Sequence, residues 1–205
     1  MFNTKEKKER SLGAKLFLKP LRCNSPKCVT IRRPSRPGLH GKRRRGQLSE
    51  FGQQLLEKQR VKFSYGVKEN YLEKIFKRAE KNPEITGDMI IMLLERRLDN
   101  VVFRLGLAPS RSIGRQLVGH GHIAVNGRKT KAPSYQVKIG DVITINAPSK
   151  DHPLFKNLPV DLKNYVSPEW LSLDSDKLEG KIISAPKGLD ILFNVNLVVD
   201  YYSKQ

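Results

Sequence analysis

From Leu98 to Ile145 the apolar positions change period, and each change marks an element. Leu98, Val101, Val102 and Leu105 recur at three- and four-residue spacing, so they share one face of a helix. Gly106 and Pro109 end it, because Gly accepts left-handed dihedrals and Pro cannot continue the ladder. Ser110 then stands where an N-cap belongs, its hydroxyl able to accept from a free amide of the next turn. The second helix turns Ile113, Leu117 and Val118 inward and sets Arg111 and Arg115, four apart, on another face. Gly119 and Gly121 supply its exit. His122 to Val125 alternates apolar and polar, which predicts a strand. Asn126-Gly127 predicts a tight hairpin, since a type I′ turn needs positive φ at both central residues. Tyr135–Val137 and Val142–Ile145, separated by Gly140-Asp141, read as further strands.

Residues 48–95 read as helical. Ser49 is a plausible cap for a helix carrying Phe51 and Leu55. Tyr71, Leu72, Ile75, Phe76 and Ala79 form a stripe at helical period, ended by Pro83. Tyr71 and Phe76 are read as core residues rather than base-stacking ones. Thr86 can cap a third helix through Met89, Ile90, Leu93 and Leu94, with Arg96 and Arg97 at the end that favours cations. Residues 1–45 read as an extension that does not fold alone: apolar residues thin out after Leu21, and Pro34, Pro37 and Gly38 interrupt a basic run.

Charge sharpens the picture. The 205 residues carry a net charge of +19, with 29% charged positions. Residues 1–60 hold 17 Lys and Arg against 4 Asp and Glu; residues 151–205 hold 6 against 8. The first half is therefore expected to meet a polyanion, and the tail to meet protein. No apolar run approaches the ~18 residues of a membrane span. The basic start is followed by no signal-type apolar core, so secretion is not expected. Two cysteines do not make a disulfide scaffold, and a reducing compartment is expected.

The two helices and hairpin resemble the RNA-binding domain named after small-subunit ribosomal protein four. The likeness to that family, of bacterial or organellar type, runs from about residue 20 to 204. It is carried by Pro37-Gly-Leu-His40-Gly41, Leu48-Ser-Glu-Phe-Gly52, Glu57-Lys-Gln59, Tyr65-Gly66, Leu94-Glu-Arg-Arg-Leu-Asp-Asn-Val-Val102, Trp170-Leu, Leu178-Glu-Gly180 and Tyr202-Ser-Lys204. The implied fold is α+β: a basic extended N-terminal segment, a small helical domain, and an inserted RNA-binding domain of two helices on a small antiparallel sheet. The expected divisions are an extension over 1–45, a helical domain over 46–95, the RNA-binding domain over 96–160, and a segment over 161–205 that packs back on the helical domain.

The resemblance implies a non-enzymatic constituent of the small ribosomal subunit, cytoplasmic or in an organelle. It would bind small-subunit rRNA first, at a 5′-domain junction, and nucleate assembly. It would also line the path by which mRNA enters and support decoding accuracy through contact with ribosomal protein five. The expected RNA-binding residues are Arg32, Arg33, Arg36, His40, Lys42, Arg43, Arg44, Arg45, Lys58, Arg60, Arg97, Ser110, Arg111, Arg115, Gln116, His120, His122, Asn126, Arg128 and Lys129. Arg43 to Arg45 are the ones the family implies for mRNA. Asn194, Val195 and Asn196 are the expected protein interface, with Val195 where the family usually carries Glu. Gly114 replaces a usual Ala, at about 1 kcal/mol of helix propensity. Some members bind Zn²⁺ through four N-terminal cysteines. Here Cys23 and Cys28 resemble the second pair, and Ser11–Leu16 lacks the first. A structural zinc wants four ligands, so no cofactor is expected.

Three other classes compete. An enzyme that uses this module for targeting would have only 55 residues after position 150, few for a catalytic domain, and no phosphate loop or catalytic set appears. A repressor of its own operon would use the same surface on mRNA. DNA reading lacks a helix with an evident base-reading pattern.

Overall fold

A computed structural model of the chain describes residues 4–43, 46–81, 86–149, 152–156, 158–163, 165–187, 191 and 193–204. It divides into two compact units, residues 1–91 with 190–205, and residues 92–189. No helix among the described residues is long and apolar enough to cross a membrane.

The first unit is helical. It contains α1 (Thr4–Leu12), α2 (Pro20–Cys23), α3 (Val29–Arg32), α4 (Glu50–Tyr65), α5 (Glu69–Ala79) and the start of α6 (Thr86–Glu95). Ser49 caps α4 as the pattern predicts, its Oγ accepting from Gly52 N at 3.2 Å. On α5 the buried stripe is Leu72, Ile75, Phe76 and Ala79, while Tyr71 is half-buried. The N-terminal segment departs from its expected extended form. Leu12, Leu16, Cys23 and Cys28 are buried together with the carboxylates of Glu6 and Glu9. Glu9 Oε1 accepts from Leu16 N and Leu18 N, both at 3.1 Å, and so folds the loop back over α1. Arg10 holds the next loop through Ser35 O and Arg36 O.

The second unit begins with the end of α6, then α7 (Leu98–Arg104) and α8 (Arg111–His120), followed by β1 (Ile123–Val125), β2 (Arg128–Lys129) and β3 (Val142–Ile145). After a 3-10 turn at Ala147–Ser149 come α9 (Pro153–Lys156), α10 (Leu158–Leu162), β4 (Leu171–Asp174) and β5 (Glu179–Ile182); α11 (Val195–Ser203) belongs to the first unit. The sheet is antiparallel, in the order β2-β1-β3-β5-β4. Ile123 pairs with Ile145 and Ile143 with Gly180, which puts alternate apolar residues on one face. The core beneath it gathers Leu98, Val101, Val102, Leu105, Leu117, Val118, Ile143, Phe155 and Trp170.

Two expectations are corrected here. Tyr135–Val137 is not a strand. Tyr135 O accepts from Leu98 N, and Val137 N donates to Arg96 O, so the segment ties down the junction of α6 and α7; one isolated bridge, Arg97 to Gln136, is its ladder pairing. Residues 161–205 do not return as one segment. Residues up to 189 stay with the sheet, where β5 inserts between β3 and β4, and 190–205 alone join the helical unit. Gly180 permits the insertion, because a Cβ there would collide with the Leu105 side chain.

Candidate nucleic-acid interface

The basic helix is built from the inside out. Ser110 Oγ accepts from Ile113 N at 3.3 Å and caps α8, and Gly121 closes it in the left-handed conformation. Gly114, Leu117 and Val118 face inward. A Cβ on Gly114 would sit 2.6 Å from Asp99 O, so glycine at this position lets α7 and α8 approach closely. The opposite face leaves Ser112, Arg115, Gln116 and His120 exposed. Asn126 and Gly127 have φ of 50° and 75°, as the hairpin requires, and the turn carries exposed Arg128 and Lys129 beside the helix end.

Beneath this face lie two buried carboxylates. Glu95 receives Arg104 through Nε at 3.0 Å and Nη2 at 2.9 Å, and Asn100 Nδ2 at 2.7 Å. Asp99 receives Arg97 in the same two-pronged way, at 3.1 and 2.7 Å. Planar guanidinium against carboxylate makes these strong, directional pairs. Arg111 bridges the layers. Its Nε donates to Asn100 Oδ1 at 2.7 Å, its Nη2 lies 3.9 Å from Glu95, and its guanidinium stands 4.8 Å from the Phe103 ring centre.

Several of the residues expected at RNA also have partners within the chain. Arg97, 2% exposed, is held by Asp99. Lys58, 5% exposed, is paired to Glu69 at 2.7 Å. Ser110 is the helix cap. Asn126 locks the hairpin, its Nδ2 donating to Asp141 Oδ1 and its Oδ1 accepting from Val142 N, both at 2.8 Å. Arg60 is half-buried against Glu57 and Leu12 O. His122 is half-buried, with Nδ1 2.9 Å from Ser149 Oγ. Burial first, then His152, His120 and Lys129, pushes the His122 imidazole below its ordinary value.

In the helical unit, Arg32, Arg33, Arg36, His40, Lys42 and Arg43 are exposed, as expected. Arg44 and Arg45 lie outside the described residues. Lys7, Arg10, Arg22, Arg32 and Arg33 line an open groove of about 300 Å³ with Glu6 and Val29. Lys7, Arg10 and Arg22 were missed in the sequence; only the fold of the N-terminal segment brings them beside Arg32. Cys28 Sγ is hydrogen-bonded to Thr30 Oγ1 at 3.0 Å, Cys23 Sγ lies 4.0 Å from Glu9, and no metal-holding group of three or more His, Cys, Asp or Glu occurs among the described residues. The expected protein-facing triplet also makes contacts within the chain, with Asn194 and Asn196 exposed and Val195 half-buried. Asn194 caps α11, accepting from Asn196 N at 3.0 Å, and its own amide donates to Glu57 Oε2 at 3.1 Å. Val195 covers Gly87, where a Cβ would lie 3.3 Å from its Cγ1. Asn196 remains exposed.

Comparison with known proteins shows which family the chain resembles. Residues 2–95 match the ribosomal protein S4/S9 N-terminal domain, and residues 96–143 match the S4 domain. The chain is 47% identical over 197 residues to small ribosomal subunit protein uS4 of Halothermothrix orenii and 44% identical to that of Syntrophomonas wolfei, in each case spanning 95% of this chain and 94% of the relative. The likeness is 47% to the uS4 protein of Caldicellulosiruptor bescii, over the same shares. The chain belongs to the uS4 family of small-subunit ribosomal proteins.

Proposed function

We propose that this structural, non-enzymatic protein of the cytoplasmic small ribosomal subunit is a primary rRNA-binding protein that nucleates assembly at a 5′-domain junction. The observation that carries the reading is the outer face of α8. Arg115, Gln116 and His120 are exposed there beside Arg128 and Lys129 of the hairpin, on a scaffold whose buried carboxylates already have arginine partners. Duplex RNA hides its base edges in a deep groove, so such a face reads phosphates, 2′-hydroxyls and junction shape rather than sequence. The groove around Arg10 and Arg32 offers a second run of cations. We assign Lys42 and Arg43, with Arg44 and Arg45, to the path by which mRNA enters, and Asn196 to contact with ribosomal protein five. No metal takes part in this reading.

The test is a salt titration of binding to the isolated 5′ domain of small-subunit rRNA, against an unrelated structured RNA of equal length. The expected result is nanomolar preference for the rRNA, with a log–log slope of roughly 6–10 phosphate contacts. Equal affinity for the two RNAs would overturn the assembly role. The same face would also serve a repressor of its own operon, and competition by the leader mRNA distinguishes the two.

A further inference from the structure

Around Gly121 the sheet unit collects more positive and protonatable groups than its fold requires. His120 ends α8, His122 precedes β1, and His152 precedes α9. Their rings are neighbours, with centres 6.0 Å apart for His120 and His122 and 5.1 Å apart for His122 and His152. The Lys129 side chain lies over Gly121, where a Cβ would collide with its Cε and come within 3.2 Å of its Nζ; Lys131 Cε reaches to 3.4 Å of the same point. Neither lysine has an ion-pair partner among the described residues. Asp151 adjoins His152 in sequence and lies outside those residues. The C-terminal end of α8 attracts cations, but its dipole amounts to about half a charge. That accounts for one neighbour, not for two ammonium groups and three imidazoles. Cations converging with no carboxylate paired to them among the described residues leave room for an anion.

We propose that His120, His122, His152, Lys129 and Lys131 form a proton-linked phosphate site, in which the bound group is a phosphate of the RNA backbone and His122 takes up a proton as it arrives. This rests on the RNA-binding reading above and adds its regulation by pH. The rings have different parts. His152 Nδ1 accepts from Leu154 N at 3.3 Å, which leaves Nε2 as the ring atom available to a phosphate. His122 has Nδ1 against Ser149 Oγ and its edge toward Phe155, which leaves Nε2 as its other polar atom. Burial, with His152, His120 and Lys129 around it, keeps this ring neutral in the free protein at neutral pH. A phosphate removes that bias by placing negative charge among the cations. Protonation then becomes favourable above the value of the free ring, so affinity rises as pH falls.

The test follows the histidine Cε1–H resonances of the full chain through pH, at constant ionic strength, with and without pyrophosphate. The midpoint of His122 is expected to rise by about one pH unit with pyrophosphate, and the rise is expected to vanish in a Lys129→Gln/Lys131→Gln variant. An unmoved midpoint in the unaltered protein overturns the site. In a second arm, rRNA affinity is compared at pH 8 and pH 6. The expected gain at the lower pH is roughly three- to tenfold, and it is lost in His122→Asn while the salt slope at pH 8 is kept. Specific rRNA binding that ignores pH sinks this inference and leaves the RNA reading standing. A pyrophosphate response with no preference for rRNA keeps the phosphate site and sinks the RNA reading.

Discussion

Gly114 shows how one residue carries opposite meanings at two levels. By local propensity alone it weakens α8, and alanine would gain about 1 kcal/mol. In the fold, the missing Cβ would meet a backbone oxygen, Asp99 O, at 2.6 Å, and backbone cannot swing aside as a side chain can. Overpacking of this kind costs roughly 1–3 kcal/mol, so the packing term wins. Gly114→Ala is expected to lower the urea midpoint of the sheet unit with its m-value unchanged; a raised midpoint would show that α7 and α8 can separate at no cost. The caps were plain in the sequence, because Ser49, Ser110 and the Asn126-Gly127 turn act through neighbours a few residues away. The burial and pairing of Lys58 and Arg97 were hidden for the converse reason. Their local sequence is that of exposed basic residues, and the carboxylates that bury them depend on helix packing.

At the scale of elements, α5, α7, α8 and the strands at 123–125 and 142–145 were legible, while the short N-terminal helices and β4 and β5 were not. The stripe on α5 repeats often enough to fix both its period and its buried face. Strands β4 and β5 span four residues each, too few to alternate convincingly, and they owe their place to the pairing of β5 with β3 and of β4 with β5. Tyr135–Val137 has a strand's composition, yet its backbone bonds go to Leu98 and Arg96. The attachment of α11 to α4 and α5 was equally hidden, because it joins residues distant in sequence, such as Glu69 and Tyr202, 133 positions apart. Lys58 Nζ and Lys62 Nζ pair with Glu69 at 2.7 and 2.8 Å, and Tyr202 OH donates to it at 2.9 Å. Burial alone would raise the Glu69 carboxyl, but these three donors outweigh it and hold it at about 2. A depressed folded value stabilises the protein fully above the ordinary 4.5, and the contribution fades as pH falls toward 2. The melting-temperature gap between the protein and Glu69→Gln is therefore expected to be widest at neutral pH and to close between pH 4.5 and 2. A gap that stays constant across that window would mean that the charge of Glu69 does not hold α11.

At the scale of the molecule, the two units differ in how the chain completes them. The sheet unit is continuous in sequence and closes on itself. Its core takes Leu98 and Val101 from α7, Ile143 from β3, and Phe155, Leu162 and Trp170 from the segment before β4. The helical unit is discontinuous, since Val198, Tyr201 and Tyr202 must come from the far end of the chain to cover α4 and α5. The tail's acidic balance had pointed to protein contacts. Part of α11 turns to the chain itself, through Val198, Tyr201 and Tyr202, while Asn196 and Asp200 stay exposed, and the segment before it completes a sheet. Trp170 is the chain's one tryptophan, is buried, and belongs to the sheet unit, so its fluorescence reports on that unit alone. A polypeptide of residues 86–187 is expected to keep a blue-shifted Trp170 emission and a single cooperative unfolding transition. Residues 4–91 are expected to lose helicity by circular dichroism and to regain it when a peptide of residues 190–205 is added. If 86–187 is unfolded, the sheet unit draws its stability from outside its own core. If 4–91 is fully helical without the peptide, α11 is an ornament on that unit rather than part of its core; the stacking of Tyr202 on Phe76 at 5.1 Å and its hydroxyl's bond to Glu69 at 2.9 Å favour the opposite result.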